Sequence, residues 1–180
     1  MKQTFNFSLE GQETERLVFR KLSEEDFDAW LEFCKFPDSL IYVFSQEQLK
    51  VEDPIERCRI WFDRVFNRYN NELGGMNALI DKETGALVGQ CGLLIQTIDG
   101  VEELEIGYSI MPAFRGKGYA SEAAIKCKQV AFEQNYATSL ISIIVPENSA
   151  SIGVALNNGM HLDKTTMSNG DRVHVYRINK

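Results

Sequence analysis

The stretch Met111-Pro-Ala-Phe-Arg-Gly-Lys-Gly-Tyr-Ala-Ser-Glu-Ala-Ala-Ile-Lys-Cys127 constrains the fold more than any other. A strand pattern from Glu102 to Met111 leads into it, and a helical pattern from about Gly116 to Tyr136 leads out. Between them, Arg115 to Gly118 place two glycines and two cations at a strand-to-helix corner. A helix start offers unpaired N–H groups and a partial positive charge. Gly116 and Gly118 lack a Cβ, so an anion can approach the backbone, and Arg115 and Lys117 add full charges. The corner therefore has the makings of an anion cradle. The dipole contributes about 0.3–1 kcal/mol, whereas each charge-assisted hydrogen bond contributes roughly 1.5–3 kcal/mol, so the bonds decide affinity. The P-loop pattern G-x-x-x-x-G-K-[ST] is absent, and Ser121 stands where a dinucleotide fingerprint needs its third glycine. A charged surface turn is the plain alternative.

The rest of the chain reads as alternating short elements. "ETERLVFRKL" has strand alternation, with Leu17, Phe19 and Lys21 on one side. Ser23 and Asp26 resemble a capping box, and Phe27, Trp30, Leu31 and Cys34 recur at helical spacing until Pro37, which is expected to stop the helix. Residues 38–53 have no clear pattern. Pro54 suits the first turn of a second helix, whose apolar face is expected from Ile55, Cys58, Arg59, Phe62, Val65, Phe66 and Tyr69. Met76–Asp81 and Ala86–Thr97 read as strands around the turn "DKETG", with Gly89 and Gly92 as candidate bulges. Asp99-Gly100 signals a second hairpin. "LISIIV" at 140–145 is a buried strand broken by Pro146. Ser149–Asn158 reads as a helix ending at Gly159, and 161–167 with 171–178 as a last hairpin. The order β, α, α, β, β, β, α, β, α, β, β, without repeat or linker, predicts one α+β domain over residues 1–180 with a mixed, mostly antiparallel sheet.

Composition narrows the function classes. The formal charge is −7, which argues against non-specific nucleic-acid binding and would favour a cationic substrate. Mild acidity for solubility alone is the plainer explanation. Cys34, Cys58, Cys91 and Cys127 form no C-x-x-C pair, and no Cys/His cluster has zinc-ligand spacing, so no metal is expected. The opening "MKQTFNFSLEGQ" lacks a signal-peptide run, and no stretch reaches a membrane span, so a cytoplasmic location without membrane partners is expected. Nothing in the sequence speaks to oligomeric state.

The tract "EIGYSIMPAFRGKGYASEA" resembles the acetyl-coenzyme A motif R/Q-x-x-G-x-G/A of the GNAT superfamily of N-acetyltransferases, here Arg115-x-x-Gly118-x-Ala120. "TERLVFRKLSEEDFDAW" resembles the opening of the RimJ/RimL-type branch. "ENSASIGVALNNGM" resembles that branch's E-N-x-x-S segment, with Met160 in place of an aromatic. The resemblance covers nearly the whole chain and implies the GNAT fold, a mixed sheet flanked by helices. It implies that acetyl-coenzyme A is the cosubstrate, with its pyrophosphate on the N–H groups of Arg115, Gly116, Lys117, Gly118, Tyr119 and Ala120. It also implies that the strand ending at Ile110 and Met111 parts from "LISIIV", so that the pantetheine arm lies between them like an added strand. Asn148 and Ser151 would contact that arm, although capping of the following helix suits Asn148 equally.

The implied reaction is attack of a neutral amine on a thioester. Neutralising a lysine-like amine near pH 7 costs roughly 4–5 kcal/mol, and an α-amine only about 1 kcal/mol. Glu105, on the strand leading to the corner, is the candidate general base, and Glu103 on the same strand face is expected to raise its pKa. A solvated acidic hairpin is the alternative. The tyrosine acid of many family members, seven residues after the Asn, is Ala155 here, and Tyr108 and Tyr119 are the nearest tyrosines. His161 and His174 have no nucleophile partner in any recognisable pattern. The expected acceptor is a primary amine, either a protein N-terminus or a small molecule, bordered by the first two helices, the 38–53 segment and the last hairpin. A non-catalytic module that binds acyl-coenzyme A, or a plain interaction domain, is the rival from another class.

Overall fold

A computed structural model describes residues 7–180, and the reading of the chain's start as free of an export signal falls partly outside that span. The strands are β1 (Leu17–Lys21), β2 (Gly74–Asp81), β3 (Leu87–Ile98), β4 (Val101–Ile110), β5 (Ser139–Ile144), β6 (His161–Ser168) and β7 (Asp171–Asn179). The helices are α1 (Phe27–Cys34), α2 (Pro37–Leu40), α3 (Gln46–Leu49), α4 (Pro54–Asn70), α5 (Tyr119–Glu133) and α6 (Ser149–Asn157). The strands form one sheet in the order β1-β2-β3-β4-β5-β7-β6, antiparallel except for the β4–β5 pair. This mixed, mostly antiparallel sheet with flanking helices matches the predicted α+β class.

Period-two alternation sorts the side chains onto the two sheet faces. Neighbours Ala78 and Leu79, and Leu93 and Leu94, divide between two apolar clusters. One cluster joins Leu79 and Leu93 to Ala123, Cys127 and Ala131 of α5 and Ala155 of α6. The other joins Ala78 and Leu94 to Trp30, Phe33, Cys58, Trp61 and Phe62 of α1 and α4. Trp30 and Phe33, one turn apart, stack at 4.4 Å, and Trp30 meets Trp61 at 5.2 Å. All four cysteines are buried and unbridged. None of the helices among the described residues is long and apolar enough to cross a membrane.

Several local expectations are corrected. Helix α1 does stop before Pro37, with Phe36 extended, but Pro37 is also the first residue of α2, where its missing N–H has no cost, and α3 follows within the patternless segment, so helices appear where none was expected. Ile55 and Arg59 face solvent, and Trp61 takes the buried place on α4, because the helix turns its aromatic side towards α1. Helix α5 starts at Tyr119 rather than Gly116, since Gly116 and Gly118 have φ of 74° and 83° and cannot be helical. It ends at Glu133, where Asn135 turns left-handed (φ 54°). The register shift between β2 and β3 faces residues 87–89, as Gly89 suggested, but Gly92 marks no bulge.

Gly92 is instead a close backbone approach. A Cβ there would lie 1.9 Å from the Gly75 carbonyl oxygen across the strand pair, and backbone cannot swing aside as a side chain can. Gly153 in α6 has nothing within 4 Å of its added Cβ. We expect Gly92→Ala to destabilise the protein by about 1–3 kcal/mol through overpacking. Gly153→Ala should stabilise it by about 0.4–1 kcal/mol through the unfolded chain. Urea unfolding of the two variants checks both signs.

Candidate active site

The parallel pair β4–β5 is joined at a single position, Glu105 opposite Ile141. Beyond it the two strands part, while β4 continues its pairing with β3 to Ile110. Among the described residues, main-chain groups of Gly107 to Ser109 on the β5 side therefore lack a strand partner, as the sequence resemblance implied. The wedge opens into a cleft of about 520 Å³. Its lining includes Glu105, Gly107, Tyr108 and Ser109 of β4, Ser142 and Ile143 of β5, and Trp61, Arg64 and Arg68 of α4. Tyr42 and Val43 from the former patternless segment, and Ser168 and Asn169 from the last hairpin, close its sides.

Glu105 sits at the fork. Its Oε2 accepts from Gln96 Nε2 at 2.7 Å, and its Oε1 accepts from the Ile143 N–H at 3.3 Å, past the last main-chain bridge. Burial raises its pKa above the usual carboxylate range, against the pull of these two bonds and of Arg68 and Arg64. The expected cause, Glu103, is corrected. Arg177 holds Glu103 through a two-bond ion pair with Nη1 at 3.1 Å and Nη2 at 2.7 Å, reaching across the start of β5, so the charge of that carboxylate is compensated. Desolvation, rather than a carboxylate neighbour, perturbs Glu105.

At the corner, the N–H groups of Gly116 through Ser121 have no acceptor among the described residues; the first helical bond to form is Glu122 N–H to Gly118 O. Two left-handed glycines turn this run into a ring of donors. No atom lies within 4 Å of a Cβ built on Gly116. Arg16 anchors the ring from outside, donating to the Lys117 carbonyl at 2.9 Å and pairing with Glu122. Its guanidinium also lies over the Tyr119 ring, whose hydroxyl donates to Asp81 at 2.7 Å.

Arg115 departs from its expected role: its N–H donates to the Pro112 carbonyl at 3.4 Å, so the unpaired run begins at Gly116. Its guanidinium turns back from the donor ring, donating to the Ile110 carbonyl (3.1 Å) and Ser39 Oγ (2.8 Å). It ties the end of β4 to α2, and in doing so occupies one of the carbonyls expected to pair with pantetheine. Met111 donates its N–H to Val88 and buries its side chain against the aromatic cluster. Lys117 lies over the Phe114 ring. The cleft lining thus contains Glu105, Asn148 and Ser151 of the predicted site, whereas Ile110, Met111 and residues 115–120 lie beyond it, along the chain from β4 into α5. Asn148 caps α6, its Oδ1 accepting from Ser151 N–H at 3.1 Å, and it also lines the cleft.

Ala155 is buried in the core and has no access to the cleft. Tyr108 lines the cleft and donates its hydroxyl to the Ser151 carbonyl at 2.8 Å, and burial pushes its pKa up. Arg64, Arg68 and Gln96 were not singled out from sequence; their only signal there was a four-residue spacing of arginines on α4. Trp61, which belongs to the aromatic stripe, is held by its Nε1–H donating to Gln90 Oε1 at 3.1 Å.

The comparisons agree with this geometry. Residues 16–161 match the model of the acetyltransferase (GNAT) domain family. YkkB of Bacillus subtilis (strain 168) is 37% identical over 122 residues, covering 67% of this chain and 70% of that protein. The crystal structure of an acetyltransferase from Agrobacterium tumefaciens str. C58 superposes with a TM-score of 0.75 at 26% identity, covering 100% of each chain. RimL, the ribosomal L7/L12 α-N-protein acetyltransferase solved with coenzyme A, shares the fold at a TM-score of 0.70 and 18% identity, over 94% of this chain and 97% of that one. Because the family match spans the donor ring, both walls of the wedge and the helices beside it, this chain belongs to the GNAT family of acetyltransferases.

Proposed function

We propose that the protein transfers acetyl from acetyl-coenzyme A to a primary amine of a small molecule or a peptide N-terminus, with the diphosphate on the Gly116–Ser121 amides and the pantetheine arm in the β4–β5 wedge. The observation that carries this reading is the alignment of two features along one stretch of chain: unpaired amides at the start of α5 and unpaired strand edges just before them. A phosphate fits the first, since its oxygens can approach free N–H groups closely beside Gly116, whose added Cβ would meet nothing within 4 Å, and Gly118, whose added Cβ would meet only the mobile end of Arg16 at 3.4 Å. An amide-bearing arm fits the second, because it can pair with the edges as an added strand. Asn148 and Ser151 would border that arm on the α6 side.

The coenzyme supplies an acetyl thioester. Glu105 accepts a proton from the acceptor's ammonium, and its two fixed hydrogen bonds hold the carboxylate in one orientation. Its raised pKa brings it closer to the working pH, which favours general-base action. No tyrosine stands at the α6 position, and the leaving thiol, with a pKa of about 8.5, needs little help from an acid. Tyr108 is the hydroxyl that remains in the cleft. The small cost of neutralising an α-amine leads us to assign the acceptor to that class in preference to lysine side chains. RimL, an α-N-protein acetyltransferase of this fold, is a precedent within the RimJ/RimL branch that the sequence resembles.

The experiment is a thiol-release assay at pH 7 with acetyl-coenzyme A, an N-terminal peptide and a lysine side-chain peptide of matched composition. We expect turnover of the α-amine to exceed that of lysine at least about tenfold, from the roughly 3 kcal/mol difference in neutralisation cost. Equal rates would remove the α-amine assignment. Absence of acetyl-coenzyme A binding by calorimetry would remove the coenzyme reading.

A further inference from the structure

The charged residues lining the cleft are Arg64, Arg68 and Glu105, two cations against one carboxylate, in a chain of net charge −7. The local field is therefore opposite to the global one, and it argues against the cationic substrate that composition favoured. Neither arginine forms an ion pair among the described residues. Both are partly buried, where an uncompensated charge is costly.

The two arginines are employed differently. Arg68 is committed: Nη1 donates to the Leu73 and Ile95 carbonyls, each at 3.1 Å, and Nη2 donates to Gln96 Oε1 at 3.2 Å. Gln96 in turn donates to Glu105, so Arg68 and Gln96 form a relay that positions the carboxylate. Among the described residues Arg64 has one protein acceptor, the Val43 carbonyl at 2.8 Å. Its guanidinium lies over the Trp61 ring at 4.7 Å and near Phe44 at 5.7 Å. Stacking and a single bond fix the plane of a group with five donors, and most of those donors are left without a protein partner. A flat, pre-oriented guanidinium with spare donors at a cleft wall matches a carboxylate or phosphate.

We propose that the acceptor is a small primary amine carrying a carboxylate or phosphate group, with that anion held by Arg64 while the amine meets Glu105. This rests on the reading of Glu105 and the wedge given above. The anion supplies the counter-charge that Arg64 lacks, and the ammonium of the same molecule is drawn to Glu105. A second cation in place of the anion would be repelled by both arginines. The cleft, bounded by Tyr42 and Val43 on one side and Ser168 and Asn169 on the other, has about 520 Å³ to share between the acceptor and the coenzyme's tail, which favours a small acceptor.

The test measures kcat/KM with acetyl-coenzyme A for four amines of equal chain length: an amino carboxylate, an amino phosphate, an amino alcohol and a diamine, with a neutral N-terminal peptide as a fifth. The wild type should prefer the better anionic amine to the amino alcohol by about 10- to 100-fold, the worth of one charge-assisted contact. The two anionic arms distinguish carboxylate from phosphate. Arg64→Gln should collapse the preference towards one, mainly through KM, and Arg64→Lys should retain part of it. Calorimetry of the protein saturated with coenzyme A gives a second readout, in which the anionic amine binds and the amino alcohol does not. Preference for the alcohol, diamine or neutral peptide, or no binding of either anionic amine to the coenzyme-loaded protein, overturns the inference. If acetyl-coenzyme A itself fails to bind, the earlier reading falls instead.

Discussion

Gly118→Glu is expected to weaken acetyl-coenzyme A binding at least about 100-fold, the loss that follows when two charge-assisted hydrogen bonds are denied to the diphosphate. Gly118 precedes α5 at φ 83°, in the middle of the unpaired donors. A carboxylate there brings a like charge against the phosphates and puts a side chain where they approach. The atom nearest to its new Cβ is Arg16 Nη2 at 3.4 Å, the far end of a flexible side chain, so crowding inside the protein is a small part of the effect. Strain is the remaining confounder, because a left-handed residue with a Cβ costs roughly 1–2 kcal/mol. Gly85 controls for it: its φ is 70°, its added Cβ meets nothing, and it lies in the β2–β3 turn. Gly85→Ala and Gly118→Ala should lose similar stability in urea. Calorimetry should show the coenzyme dissociation constant moving only for substitutions at Gly118. Unchanged affinity in Gly118→Glu would show that the corner is merely a turn.

The second large effect is on turnover. Glu105→Gln should lower kcat about 10²- to 10⁴-fold, the range for a lost general base, with the affinity for acetyl-coenzyme A preserved. The pH dependence carries its own sign. The base works ionised, and burial holds its pKa above the usual carboxylate range, so the wild-type rate should fall with acid at a higher pH than an exposed glutamate would give. That limb should be missing in the glutamine variant. Linkage gives a separate check. A carboxyl whose folded pKa is raised binds its proton more tightly in the folded state, so its favourable contribution is complete below the unfolded pKa and lost as pH rises through the folded one. At neutral pH the ionised Glu105 therefore weakens the fold, and Glu105→Gln should be more resistant to urea than the wild type at pH 7. Equal or lower stability together with retained turnover would sink the assignment of Glu105 as base. A chain that gains stability while losing activity would show a site kept in an unfavourable state for the sake of its chemistry.

The amino-acid sequence alone determined the elements and much of their order, because the signals are local. Alternation at 17–21, the Asp99-Gly100 turn and the apolar run at 140–144 each depend on residues within a few positions. The glycine corner was legible for the same reason: a strand, two residues needing positive φ, and a helix are contiguous in the chain. Where local rules conflict, the reading slipped. Pro37 ends one helix and starts another with the same ring, and the short α2 that follows buries Leu40 in the aromatic cluster, a contact the local pattern does not show.

Tertiary structure decided everything that depends on pairing between distant segments. That Glu103 is neutralised by Arg177 while Glu105 is left to desolvation is settled by β7 and by the fork between β4 and β5, some seventy and forty residues away. That Arg115 straps the end of β4 while Arg64 keeps its donors for the cleft could not follow from either residue's neighbours in sequence. A charged side chain chooses its partner by distance and burial in three dimensions, and at long sequence separation those quantities are properties of the packed sheet and helices, with no imprint on the local pattern.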